Sequence, residues 1–252
     1  MEILAYLLIG CCVGGIGSML GIGGGVVIVP LLTFVFDFTP AEAIGSSMFV
    51  VLLNALSGTI GYLRQKKVCW DAAWKFALAT VPGAFLGSYA SEFLRGKLFY
   101  LVFGIFFFCF AINMYRKACS SNADSGSEKV PEKYNWQFGV ASSVVVGFIA
   151  SILGIGGGVI HVPMMTYILK FPVKVAIATS TAILAVSAIS GVISHAYLGH
   201  IVWVTAFGLG LGASIGAQIG VRLAVKTKST MLMKCTSVLV MLTAIKFLMS
   251  GI

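Results

Sequence analysis

Charge is what this sequence has least of. Only 10% of its 252 residues are charged and just 8 are Asp or Glu, where soluble domains carry about a quarter charged residues. With 59% hydrophobic residues before its 30 glycines are counted, the chain has too little polar side chain to cover a soluble body. A soluble enzyme, a disordered segment and a small disulfide scaffold are all excluded. Cysteine is sparse and unpatterned: Cys11, Cys12, Cys69, Cys109, Cys119 and Cys235 show no CxxC and no metal-ligand spacing, and most lie in apolar runs, where they read as small buried hydrophobes. Hydrolase triads, paired carboxylates and zinc sets are missing too, so neither an enzyme nor a cofactor is expected. The net charge of +9 sits in short clusters between apolar runs, as topogenic charges do, and offers no continuous basic face for nucleic acid. Met1 to Leu20 has an acid at Glu2 and no basic leader, and is expected to be a retained segment, not a cleaved signal.

What is present is a series of apolar stretches, at about 3–36, 40–63, 72–94, 97–115, 137–169, 173–197, 201–222 and 229–250. Most are just long enough to cross about 30 Å of hydrocarbon. The stretches at 3–36 and 137–169 are too long for one crossing and are interrupted by glycines. The fold class expected is therefore an all-α polytopic membrane protein, with membrane lipid as its surroundings. Residues 118–136 hold the only sizeable polar tract and read as a linker between a first transmembrane repeat at 1–117 and a second at 137–252.

The halves are related. Residues 20–30 read LGIGGGVVIVP and residues 153–163 read LGIGGGVIHVP, identical at 9 of 11 positions with an offset of 133. The same offset superposes Thr33 on Thr166, Ser57 and Gly58 on Ser190 and Gly191, Trp70 on Trp203, and Gly83, Ala84 and Gly87 on Gly216, Ala217 and Gly220. Chance similarity between apolar segments matches leucines. Matched glycines, prolines and tryptophans mark an internal duplication.

Charge suggests how the halves are oriented. If each long segment folds as two short pieces, every half has about five segments, and Arg64, Lys66, Lys67, Arg116, Lys117, Lys129, Lys133, Lys170, Lys174, Arg222, Lys226 and Lys228 share one side, leaving Arg95 and Lys97 on the other. Positive residues mark the cytoplasm. Basic RQKK at 64–67 also corresponds to uncharged YLGH at 197–200, as loops on opposite sides should. The expectation is inverted repeats in the cytoplasmic (inner) membrane, both termini outside and the linker inside, against an alternative of two parallel four-helix halves.

The GIGGG clusters lack GxGxxG spacing in a strand–turn–helix unit and the GK[ST] of a phosphate loop. Two readings remain open for them: close helix packing through small residues, or helix breaks whose following half-helix aims unpaired N–H groups and its positive end at an anion. On the second reading the site contains Gly21, Gly23, Gly24 and Gly25 with Gly154, Gly156, Gly157 and Gly158. Neutral hydrogen-bonding residues surround them: Ser46, Ser47, Asn54 and Ser57 in the first half, Thr179, Ser180, Thr181 and Ser187 in the second. Such groups suit an oxyanion bound without a full counter-charge. His161, in place of Ile28, and His195, in place of Tyr62, are candidates for coupling transport to protons. Glu42 after Pro40 reads as a helix-start acid, and Trp70, Trp74, Trp136 and Trp203 as an interfacial belt.

LGIGGGVVIVPLL near the start, LGIGGGVIHVPMM after a polar central loop, and the partner segments IGSSMFVVLLNALSG and IATSTAILAVSAISG together resemble the TauE/SafE family of membrane permeases, known as sulfite exporters. The resemblance spans almost the whole chain. It implies a secondary transporter for a small sulfur-containing anion, such as sulfite or a sulfonate, and does not single out one anion, a direction of transport or an oligomeric state.

Overall fold

Both long apolar segments break at their glycines. The computed structural model describes residues 2–93, 97–120, 130–131 and 134–251; most of the 118–136 tract, and Arg95, Lys129 and Lys133, lie outside them. The first half consists of α1 (Glu2–Leu20), α2 (Gly25–Phe34), α3 (Pro40–Arg64), α4 (Trp70–Ala90) and α5 (Lys97–Ser120). The second consists of α6 (Trp136–Leu153), α7 (Gly158–Pro163) with a π-helical turn at Met164–Ile168, α8 (Val173–Tyr197), α9 (Trp203–Lys226) and α10 (Ser229–Gly251). Helices α1, α3, α5, α6, α8, α9 and α10 include the 7 stretches long and apolar enough to cross a membrane, while α2 and α7 with its π turn are short. The protein is thus an all-helical, multi-pass membrane protein.

Element boundaries repeat with the sequence offset. Gly24 and Gly157 precede α2 and α7 in the left-handed conformation, which costs a residue with a Cβ roughly 1–2 kcal/mol. Even the uncommon non-glycine positions of positive φ recur, Asp37 at 53° matching Lys170 at 62°. Thr39 and Glu42 form a reciprocal capping box at the start of α3, with Pro40 in the first turn, so Glu42 holds a helix end. Pro163 is followed directly by the π turn, whereas its counterpart Pro30 lies inside α2, which continues to Phe34 as an α-helix.

The halves interleave. Glycines bring α1 against α9, where a Cβ on Gly10, Gly14 or Gly220 would run into backbone of Leu209, Ala213 or Gly15. The counterpart pair is α6 against α4, where Gly147 meets Thr80 and Gly87 meets Phe148. Here the small residues serve close packing. Along α3 and α9 the contacts ascend together: Ser46 with Val202, Leu53 with Ser214, Ser57 with Gln218 and Gln65 with Val221. Helices α3 and α8 cross in the middle, with Met48, Val51 and Ala55 packed on Leu184, Ala185 and Ala188. They are the most enclosed long helices, 67% and 83% buried against 33% for α1.

Near the start of α4, Tyr134 donates to Asp71, which also pairs with Lys75 at 2.6 Å, and Lys75 lies 5.8 Å from the Trp136 ring. Burial, reinforced by the Asp71 carboxylate, raises the Tyr134 hydroxyl above its ordinary range. The tryptophans are exposed at helix starts, as expected of an interfacial belt. The cysteines are a correction: all six are free, four exposed and two half-buried, so none is fully buried, although Cys69 packs against the core. A bilayer is as apolar as a protein interior, and an outward cysteine costs nothing there.

Candidate functional site

The two glycine breaks meet each other. Gly21, Gly23 and Gly24 have φ of 73°, 73° and 83°, and Gly154, Gly156 and Gly157 have 66°, 72° and 88°. These paired left-handed turns separate α1, ending at Leu20, from α2, starting at Gly25, and α6, ending at Leu153, from α7, starting at Gly158. Gly25 lies so close to Ile155 and the Gly154 carbonyl, and Gly158 to Ile22 and the Gly21 carbonyl, that a Cβ on either would overlap backbone. Gly23 and Gly156 both contact Val51 and Leu184, which stand at equivalent places on α3 and α8 and fill the space between the turns.

Serines tie each break to the other half. Ser47 donates to the Gly154 carbonyl at 2.8 Å, and Ser180 donates to the Gly21 carbonyl at 3.2 Å. Neither half-helix has a side-chain cap, so the first-turn amides of Gly25, Val26, Gly158 and Val159 have no partner within their own helix.

Other polar residues divide by what already engages them. Ser46 accepts from the Val202 amide and Thr179 from the Cys69 amide, both at 3.0 Å. They hold the starts of α9 and α4. Ser57 donates to the Ser214 carbonyl and accepts from Gln218, and Thr181 bonds back to Ile177. Asn54 and Ser187 differ. They are equivalent under the offset, both are buried, and Asn54 Nδ2 and Ser187 Oγ have no hydrogen-bond partner. Asn54 Oδ1 accepts from Ser18 at 3.0 Å, and the Ser18 carbonyl accepts from Tyr62 at 2.7 Å. Each free group lies one helical turn past Val51 or Leu184, the residues that face Gly23 and Gly156.

His161 is buried but not isolated. Nδ1 is 3.2 Å from the Gly157 carbonyl, Nε2 is 3.2 Å from Ser143 Oγ, and Ser143 Oγ is 2.6 Å from the Gly139 carbonyl. Carbonyls only accept, so Nδ1 carries a proton. His195 sits against the Ser151 backbone, matching Tyr62 against Ser18, with its Nδ1 3.2 Å from His200 Nδ1. Its Nε2 makes no hydrogen bond of normal geometry.

Nothing in the local sequence marks Val51, Leu184, His200 or Gln218 as neighbours of the site. For Val51 and Leu184 the signal was available, since the offset pairs them on the two helices that cross. Among the described residues no group of three or more His, Cys, Asp or Glu could hold a metal ion.

Residues 6–247 match the family model described as Sulfite exporter TauE/SafE. The chain belongs to the TauE/SafE family. Among curated relatives it is 34% identical over 232 residues to the probable membrane transporter protein YunE of Bacillus subtilis, covering 84% of this chain and 85% of that one. It is 31% identical over 195 residues to the probable membrane transporter protein MJ0441 of Methanocaldococcus jannaschii, 75% of this chain and 70% of that one. A probable membrane transporter protein of Xylella fastidiosa is 30% identical over 206 residues, 81% of this chain and 77% of that one. No solved structure matches. The TauE/SafE member described here is accordingly a membrane transporter and not an enzyme.

Proposed function

We propose that this protein is a secondary transporter that carries a small sulfur-containing oxyanion, sulfite, a sulfonate or a related organosulfur anion, across the cytoplasmic membrane by alternating access. The observation that carries this reading is the meeting of the two breaks together with the unpartnered Asn54 Nδ2 and Ser187 Oγ. Uncapped amides at the starts of α2 and α7 and unpartnered neutral donors on α3 and α8 are, on this reading, the groups that an anion engages. An oxyanion has several acceptor oxygens and needs such donors more than a full counter-charge. Val51 and Leu184 fill the space between the turns, so binding requires them to part, which is the step that alternating access supplies.

Inverted repeats are the architecture this mechanism needs. The ascending contacts of α3 along α9, and of α1 along the same α9, support it: α1 and α3 then run in one direction, and α2 is the return between them. Parallel four-helix halves would set α3 against α9 head to tail. With the basic residues inside, both termini lie outside.

Proton coupling through His161 is part of the proposal. When the ring is neutral, Ser143 turns its hydroxyl to Nε2; when it is charged, Nε2 donates to Ser143, whose hydroxyl then donates its hydrogen bond to the Gly139 carbonyl. The same three groups serve both states, and no acid has to be buried with them. His195, paired with His200, is the second candidate.

Thermal-shift screening of the purified protein tests the substrate class, using sulfite, thiosulfate, sulfate, sulfonates and sulfur-containing carboxylates against chloride at matched ionic strength. The expected result is a saturable shift with one sulfur anion, moved to several-fold higher anion concentration in Ser187→Ala. A shift with a non-sulfur organic anion alone would reassign the substrate class.

A further inference from the structure

The two halves differ at one place where the duplication would make them alike. Helices α5 and α10 are counterparts. Helix α10 of the second half closes onto α2 of the first: the Phe247 ring lies 5.3 Å from Phe34, Lys246 Nζ 5.1 Å from the same ring, and the Thr243 hydroxyl 3.5 Å from the Val26 carbonyl. The equivalent positions on α5 are Met114, Asn113 and Phe110. They line an open groove of about 640 Å³ instead, with Val145 and Ile149 of α6 and Tyr167 of the π turn across from them.

The walls of this groove identify what fills it. Both α5 and α6 are long and apolar enough to cross a membrane, and the lining is mostly aliphatic and aromatic. A groove of that kind, open sideways at bilayer depth, is bathed by acyl chains and not by water. At one end the chemistry changes. Asn113 adds an amide to the lining, Arg116 follows one turn beyond it on α5, and Lys170 stands just past the π turn. Both cations are exposed, and among the described residues no carboxylate lies within ion-pair distance of either. Lysine and arginine at the end of spanning segments place their charge at headgroup level.

We propose that this groove is a binding site for an anionic phospholipid, one acyl chain lying between α5, α6 and the π turn and the headgroup phosphate held by Arg116 and Lys170. The lipid takes the place beside α5 and the π turn that corresponds to the contact of α10 with α2. The site is separate from the meeting point of the breaks and does not depend on what the protein carries.

Native mass spectrometry of the purified protein, delipidated and then offered phosphatidylglycerol or phosphatidylethanolamine, tests this. Cys109 gives a second readout because it lines the groove and is exposed: its rate of modification by a maleimide reports occupancy. The expected result is preferential retention of phosphatidylglycerol and slower Cys109 modification in its presence. Retention is expected to fall roughly fivefold for each charge removed in Arg116→Gln and Lys170→Gln. Val145→Trp, a substitution on an exposed position, should block the groove and lower retention without lowering the melting temperature in detergent. Equal retention of both lipids by the native protein overturns the proposal, as does unchanged retention in all three variants. A disulfide formed readily between Cys109 of two copies would overturn it too, since a second chain would then occupy this face.

Discussion

Ser47 on α3 donates a 2.8 Å hydrogen bond to the carbonyl of Gly154, 107 residues further along the chain. Its counterpart Ser180 does the same for Gly21. Each half therefore holds the other's glycine break in place. Ser47→Ala leaves a buried carbonyl short of a donor, a loss on the order of 1 kcal/mol. A lower melting temperature is expected for it, with a smaller drop for Ser180→Ala, whose bond is longer. Equal melting temperatures for both variants and the native protein would remove these serines from the scaffold.

Gly24 and Gly157 test the turns themselves. Alanine at either must adopt a positive φ, costing roughly 1–2 kcal/mol. Their local surroundings are side chains and the Val13 carbonyl, at 3.1 Å or more from an added Cβ. Gly25→Ala and Gly158→Ala meet backbone of the opposite break instead. Folded protein with impaired transport is expected for the first pair and poor recovery of folded protein for the second, both measurable by size-exclusion profile and flux.

Ser187 separates stability from function. Its hydroxyl is buried without a partner, so Ser187→Ala removes an unsatisfied group and should hold or raise the melting temperature. Anion affinity is expected to fall by several-fold. A variant that loses stability but keeps affinity would mean that the hydroxyl has a structural partner and no ligand.

His161→Ile copies what the first half carries at Ile28, which is fully buried. The fold should accept it, with Ser143 still bonded to Gly139. Flux in reconstituted vesicles is expected to lose its response to an imposed proton gradient while exchange of substrate across the membrane continues. A gradient response equal to that of the native protein would exclude His161 as the coupling group.

Cys119 reports orientation. It is free and exposed at the end of α5, and a variant retaining it as the sole cysteine should react with a membrane-impermeant maleimide in inside-out vesicles and not in intact cells. Labelling in intact cells would reverse the assigned topology.

The duplication and both helix breaks were legible in the sequence because glycine and proline act through the backbone, and backbone requirements survive in register. Gly24 and Gly157 announce the same left-handed turn wherever they are read. Side-chain engagement is not local in that sense. Ser46, Thr179 and Ser57 look as available as Asn54 and Ser187 along the chain, but the first two cap helices of the opposite half and the third is held by Gln218. Only the packing of α3 on α8 and α9 separates spent donors from free ones. The direction in which cysteines face was likewise hidden, because hydropathy does not distinguish a lipid-facing position from a core one.

Counterflow in reconstituted vesicles is the most direct test of the transport mechanism. Vesicles loaded with millimolar unlabelled sulfite or a sulfonate are diluted into a trace of the same labelled anion. A transient overshoot of label inside, saturable and abolished in Gly157→Leu, is expected of a carrier working by alternating access. Rapid equilibration without overshoot, accompanied by anion currents in planar bilayers, would contradict it and assign the protein as a channel.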